Sequence, residues 1–145
     1  MDKQGKKRKS GIPTGNAGEY FVMGELLRRG FDAQLAGRNT KGYDLLAGSG
    51  EESSLRKVQV KTVRSQPWYV KTADFKERPN QVTIYVLLGP IGGNKPVRFF
   101  MVKNRDVNKQ IHYPLNRTTA IPWKENGFMS MRAVEAYENR WESLR

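Results

Sequence analysis

The apolar positions change period along the chain, and the period separates helix from strand. From Ala17 to Arg29 the residues Ala17, Tyr20, Phe21, Met23 and Leu27 gather on one side at about 100° per residue, and Gly30 stops the run. This predicts a first helix. Phe31 to Leu35 reads as a short strand, Gly37 to Gly42 as a polar loop, and Tyr43 to Ala47 as a second strand. Gly48 to Ser54 is a turn, and Leu55 to Val63 alternates clearly enough to be a third strand, forming a hairpin with the second. Arg64 to Gln81, interrupted by Pro67 and Pro79, holds no sustained period and is expected to be loop with one helical turn. Val82 to Leu88 is nearly continuously apolar and β-branched, as a central strand covered on both faces should be. Across the turn Gly89 to Asn94, Val97 to Val102 pairs with it. Asn104 then caps a short helix carrying Val107 and Ile111, and His112 to Phe128 reads as irregular around Pro114 and Pro122. Ser130 caps a terminal helix in which Met131, Val134, Tyr137, Trp141 and Leu144 recur at steps of three and four.

This order, with no internal repeat or linker, is that of one α/β domain. A length of 145 residues with 37% hydrophobic content is enough for a single core. Three Trp, six Tyr and six Phe argue against global disorder. With no cysteine, disulfides, thiolate metal sites and cysteine nucleophiles are all excluded, and any metal ligands must be oxygen or nitrogen. The strongest compositional signal is charge: 26 Lys and Arg against 14 Asp and Glu leave +12, as expected of a protein that meets a polyanion. Nucleic acid is therefore the leading partner class. No apolar run is long enough to span a bilayer, and the start of the chain lacks a secretory apolar centre, so a cytoplasmic location is the default expectation. Residues 1–12, with Lys3, Lys6, Lys7, Arg8 and Lys9, read as a disordered basic arm that either tracks phosphates or is a solvated tail.

Chemistry has to come from spacing. The hairpin turn is centred near Glu51 and Glu52, so paired positions sum to about 103 and Asp44 lies opposite Gln59. Side chains alternate, so Asp44, Gln59 and Lys61 share one face while Val58 and Val60 share the other. One polar face thus holds an acid, an amide and an ammonium. The first helix adds Glu19, whose neighbours one turn on, Val22 and Met23, and two turns on, Leu26, are apolar, so its carboxylate needs a partner. A competing role is helix capping: Asn16-Ala-Gly-Glu19 has the form of a capping box. Glu25, beside Arg28 and Arg29, reads as surface.

Glu19 on a helix, Asp44 on a strand and Gln59-Val60-Lys61 on the next strand resemble, in order and spacing, the PD-(D/E)xK nuclease superfamily. Gly18-Glu19-Tyr20, Leu26 to Phe31, Gly42-Tyr43-Asp44 and Val58 to Thr62 look closest to small bacterial members related to Holliday-junction resolvases and restriction endonucleases. The likeness covers roughly the first half of the chain. It implies a restriction-endonuclease-like α/β domain over residues 13–145, with a central mixed sheet of about five strands flanked by helices and a C-terminal helical extension. Two positions depart from the pattern: Tyr43 stands where the name-giving Pro would be, a mild change, and Gln59 replaces the usual acid, which removes a negative charge from the metal site. Some homing and restriction endonucleases of the superfamily are similar in carrying Gln there. The resemblance implies an endonuclease that hydrolyses DNA phosphodiester bonds with Mg²⁺ or Mn²⁺, with RNA left open as a substrate. A hard divalent ion supplies both a hydroxide at neutral pH and counter-charge for the transition state. Asp44 would be its first ligand, the Gln59 amide oxygen and the Val60 carbonyl two neutral ones, and Glu19 would hold a coordinated water or a second ion. Lys61 would orient the attacking water or pair with the scissile phosphate. Without a metal, Lys61 would be an ion-pair partner of Asp44.

Two alternatives stand beside the nuclease: a catalytically inactive nucleic-acid-binding module of the same fold, and an adaptor in a larger nucleic-acid-processing assembly, the latter suggested by the amphipathic terminal stripe. A homodimer is the arrangement by which such nucleases break both strands. Candidate nucleic-acid contacts are Arg38 and Lys41 in the loop before Asp44, and Arg64, Trp68, Lys71, Lys76 and Arg78 after the third strand, where aromatic and basic residues interleave. A half-buried loop with solvated lysines would give the same pattern. His112 stands alone and reads as surface or core-edge.

Overall fold

In the computed structural model, residues 11–37, 39–40, 42–50, 55–71, 81–103, 106 and 126–145 are described. Pro13 opens the first helix, α1, which spans Ile12–Arg28 and so begins earlier than the apolar period predicts. Proline lacks an N–H that the first turn would leave unpaired, and its fixed φ suits that position. The Gly15 N–H donates to the Gly11 carbonyl at 3.0 Å. At the other end Gly30, at φ +85°, takes the left-handed turn that a side chain would strain, and the Phe31 N–H closes on the Leu26 carbonyl at 3.0 Å. The buried stripe of α1 is Gly18, Val22 and Leu26. This corrects the stripe read from sequence, since Tyr20, Phe21 and Leu27 are exposed. A glycine carries no hydropathy signal, yet Gly18 marks the inner face. The arm expected over residues 1–12 lies outside the described residues up to residue 10, and Ile12 belongs to α1.

Seven strands follow among the described residues: β1 (Asp32–Leu35), β2 (Leu45–Gly48), β3 (Arg56–Val63), β4 (Trp68–Lys71), β5 (Val82–Leu87), β6 (Arg98–Lys103) and β7 (Asn126–Met129). Five of them form a sheet in the order β1-β2-β3-β5-β6. Only β3 and β5 run parallel within it; the other neighbours are antiparallel, so the sheet is mixed. The expected five-stranded architecture is therefore the observed one. β5 has a strand on each side and is buried along almost its whole length, as its unbroken apolar run requires.

Alternation divides the core in two. Val58, Ile84, Val82, Val86 and Met101 pack with Val22 and Leu26 of α1 on one face. On the opposite face Tyr85, Phe100 and Val102 pack with Trp68, Val70 and Met129. The second face is covered by a two-stranded ribbon of β4 and β7, paired from Trp68 with Met129 to Lys71 with Asn126. Both strands fall where the sequence suggests irregular chain, and their pairing joins segments far apart in sequence, which no local period reveals. The helix expected after Asn104 lies outside the described residues apart from Asp106.

The predicted cap of the last helix is present: Ser130 Oγ accepts from the Ala133 N–H at 3.2 Å. The single long helix is not. α2 covers only Met131–Val134 and is followed by two 3₁₀ turns, Glu135–Tyr137 and Trp141–Leu144, with Asn139 at φ +56° between them. β6 is an edge strand, and the tail uses its unpaired groups: Glu138 bridges Phe100, and the Asn139 N–H donates to the Phe99 carbonyl at 2.9 Å. Arg98 clamps the crossing by donating from Nε and Nη2 to the Glu138 carboxylate at 2.7 and 2.9 Å. Val134 thus packs on one face of the sheet and Trp141 and Leu144 on the other. No helix among the described residues is long and apolar enough to cross a membrane.

Candidate active site

The site forms where α1, β2 and β3 converge. β2 pairs with β3 as Leu45 with Val58, Leu46 with Lys57 and Ala47 with Arg56, each pair summing to the predicted 103. Asp44 immediately precedes β2 and extends the ladder. Its N–H donates to the Val58 carbonyl at 2.8 Å and its carbonyl accepts from the Ala36 N–H at 2.8 Å. Leu45 and Val58 point into the core, so along β3 Gln59 and Lys61 turn to the other side, while Asp44 lies just outside the regular pairing. The Asp44 carboxylate is fixed by one backbone bond: Oδ2 accepts from the Val60 N–H at 2.8 Å.

Glu19 arrives because α1 seats tightly on β3. A Cβ at Gly18 would lie 1.7 Å from Thr62 Oγ1 and 2.7 Å from Thr62 Cβ, so only glycine permits this approach of helix to strand. The next residue, Glu19, then meets Asp44 with the two carboxyl groups in hydrogen-bond contact. The Glu19 carboxyl is held above its usual range, first by burial, then by the Asp44 charge and by this hydrogen bond. Capping does not explain Glu19: the helix starts at Ile12, so Asn16 lies inside it and Glu19 is not in its first turn. Glu25 is the surface acid expected, paired with Arg28 at 3.0 Å and Arg29 at 3.2 Å.

One neighbour was missed in the sequence. Gln81, at the start of β5, is 2% exposed and donates from Nε2 to the Gly42 carbonyl at 2.7 Å and to Gln59 Oε1 at 3.5 Å. Its only sequence signal is its place as the last polar residue before the apolar run of β5. Among the described residues no group of three or more His, Asp or Glu could hold a metal. The chemistry of the Glu19 and Asp44 pair nevertheless suits a hard cation, since two carboxyl groups pressed together offer only oxygen.

The candidate nucleic-acid contacts divide. Trp68 is corrected: it is fully buried, its Nε1 donates to the Val86 carbonyl at 3.1 Å, and its ring meets Tyr85 and Phe100 edge-on. Alternation along β4 turns Trp68 and Val70 inward and Tyr69 outward, at 77% exposure, so Tyr69 is the aromatic available for stacking. Arg64 donates from Nη1 to the Gly89 carbonyl at 3.2 Å. Lys71 lies in β4; its side chain, like Arg38, Lys41, Lys76, Arg78 and His112, lies outside the described residues.

No family model matches the chain, and no curated protein sequence matches it. Solved structures do. The Holliday junction resolvase Hjc of the archaeal hyperthermophile Archaeoglobus fulgidus superposes with a TM-score of 0.53 at 19% identity, covering 84% of this chain and 88% of its own. A bacterial homing endonuclease superposes with a TM-score of 0.56 at 15% identity, covering 92% of this chain and 89% of its own. The likeness spans both halves of the chain. The chain therefore has the restriction-endonuclease-like α/β fold that the order of Glu19, Asp44, Gln59 and Lys61 implies.

Proposed function

We propose that this protein is a metal-dependent endonuclease that hydrolyses DNA phosphodiester bonds at the junction of α1, β2 and β3. The observation that carries the reading is the meeting of Glu19 and Asp44, two carboxyl groups from separate elements held in contact beside the Val60 N–H of β3. Two acids pressed together oppose folding unless a proton or a cation sits between them. Mg²⁺ or Mn²⁺, when bound, would supply a hydroxide at neutral pH and counter-charge for the pentavalent phosphorus. Asp44, already oriented by the Val60 N–H, would hold the ion, with Glu19, the Gln59 oxygen and the Val60 carbonyl as the remaining donors. Lys61 would face the scissile phosphate and orient the attacking water. The +12 charge would draw in the DNA, and one such site cuts one strand, so a duplex break would need two copies of the chain.

The neutral Gln59 favours one further reading, a binding module that keeps the fold and the basic surface but has lost turnover. A supercoiled plasmid separates the two. The nuclease nicks it with Mg²⁺ or Mn²⁺ and not with EDTA, and Asp44→Ala or Lys61→Ala lowers the rate by roughly 10²-fold or more. Absence of nicking, with steeply salt-dependent DNA binding that Asp44→Ala leaves unchanged, selects the binding module.

A further inference from the structure

We propose that Gln81 is a positioning residue that sets which atom of the Gln59 amide faces the site. An amide at position 59 poses a problem that a carboxylate does not, because one end of it is an oxygen that can hold a cation and the other an NH₂ group that repels one. Something has to choose between them. The Gly42 carbonyl is an obligate acceptor, so the atom of Gln81 lying 2.7 Å from it must be Nε2. The same nitrogen lies 3.5 Å from Gln59 Oε1, so its second hydrogen favours the oxygen end of that amide over the NH₂ end. That contact is long and steers rather than binds; the short bond to Gly42 is the anchor. Burial keeps the arrangement from relaxing, since Gln81 is 2% exposed. Its own Oε1 is buried with no hydrogen-bond partner among the described residues, a configuration that costs stability and that an apolar side chain would avoid. The polarity of Gln59 is thus biased from a backbone carbonyl through Gln81, and the same bond holds Gly42, at φ +93°, two residues before Asp44.

The role depends on residue 59 being an amide, and this gives a test that a merely structural role would not pass. Glutamate at 59 offers oxygen whichever way it turns, so it does not need Gln81 to choose. Mn²⁺ affinity is measured by titration calorimetry on wild type, Gln81→Met, Gln59→Glu and the double variant, with thermal melts confirming that each is folded. Gln81→Met is expected to weaken Mn²⁺ binding by about tenfold in the wild-type background and to have little effect in the Gln59→Glu background. An equal loss in both backgrounds would show that Gln81 only supports the fold and would overturn the role. The metal arm rests on the proposed nuclease reading, so a second arm is metal-free: side-chain amide resonances in glutamine-labelled protein. Gln81→Met should move the Gln59 NH₂ signals toward their values in unstructured peptides, and unchanged signals would overturn the role. If neither wild type nor Gln59→Glu binds Mn²⁺, the metal-dependent reading is what fails, and the amide spectrum alone decides for or against Gln81.

Discussion

Glu19 and Glu138 are both half-buried glutamates on one chain, and their surroundings push them in opposite directions. At the β6 edge, Glu138 takes a two-pronged hydrogen bond from Arg98, which holds its carboxyl below the usual range against the opposing effect of partial burial. At the junction of α1 and β2, burial and a second acid hold the Glu19 carboxyl above it. The first arrangement fastens the tail to the sheet. The second works against the fold, and groups perturbed in this way concentrate where a protein does chemistry. The same contrast runs through the packing around each. The aromatic face built on Trp68, Tyr85 and Phe100 is closed by fitted rings, whereas the α1 side of the site depends on a glycine pressed against Thr62.

The largest effect on the structural half should come from Trp68→Ala, which empties the centre of the aromatic cluster and is expected to cost about 3–5 kcal/mol in urea denaturation. Tyr69→Ala, one residue on but facing solvent, should change stability by less than about 0.5 kcal/mol. Equal costs would mean that β4 does not present these faces.

Gly18→Ala acts on the other half. Even rotation of the Thr62 side chain leaves its Cβ at 2.7 Å, so α1 has to move. The expected cost is about 1–3 kcal/mol, together with a loss of nicking greater than the loss of folded protein, because Glu19 moves with the helix. Activity that falls only in step with folding would sever Gly18 from the site.

The smallest effects are the most pointed, since they should have opposite signs. The contribution of Glu138 is present above its ordinary pKa and fades as pH falls through the lowered folded value, so Glu138→Gln should destabilise at neutral pH and become harmless in acid. The contribution of Glu19 is present below its ordinary pKa and is lost as pH rises through the raised folded value. Glu19→Gln should therefore stabilise the metal-free protein at neutral pH, by roughly 0.5 kcal/mol after screening by solvent, while abolishing cleavage. Thermal melts of both variants across pH 3 to about 8 check the crossing; parallel profiles would erase the contrast between the two glutamates.

How much of this could be read from the sequence follows from which interactions are local. The β2–β3 register was legible because a short turn and alternating valines leave a single pairing that buries Leu45 and Val58 together. That register puts Gln59 and Lys61 on the face of β3 opposite Val58, with Asp44 just before β2. Glu19 was legible as an acid among apolar neighbours, but the sequence alone could not separate contact with Asp44 from a cap, because the start of α1 at Ile12 depends on Pro13 rather than on hydropathy. β4 and β7 were hidden because each finds its partner across a long stretch of chain. The tail misled for a different reason. Spacings of three and four count residues and not conformations, and here they serve two faces of one sheet around the edge of β6. Gln81 escaped because a lone glutamine before a strand has no pattern at all.

The most direct measurement is a calorimetric titration of Mn²⁺ into the wild-type protein and into Asp44→Ala. A saturable site in the wild type that disappears in Asp44→Ala, with the variant still folded, is the expected result. Equal binding in the two proteins, or none in the wild type, would contradict a cation site built on Glu19 and Asp44.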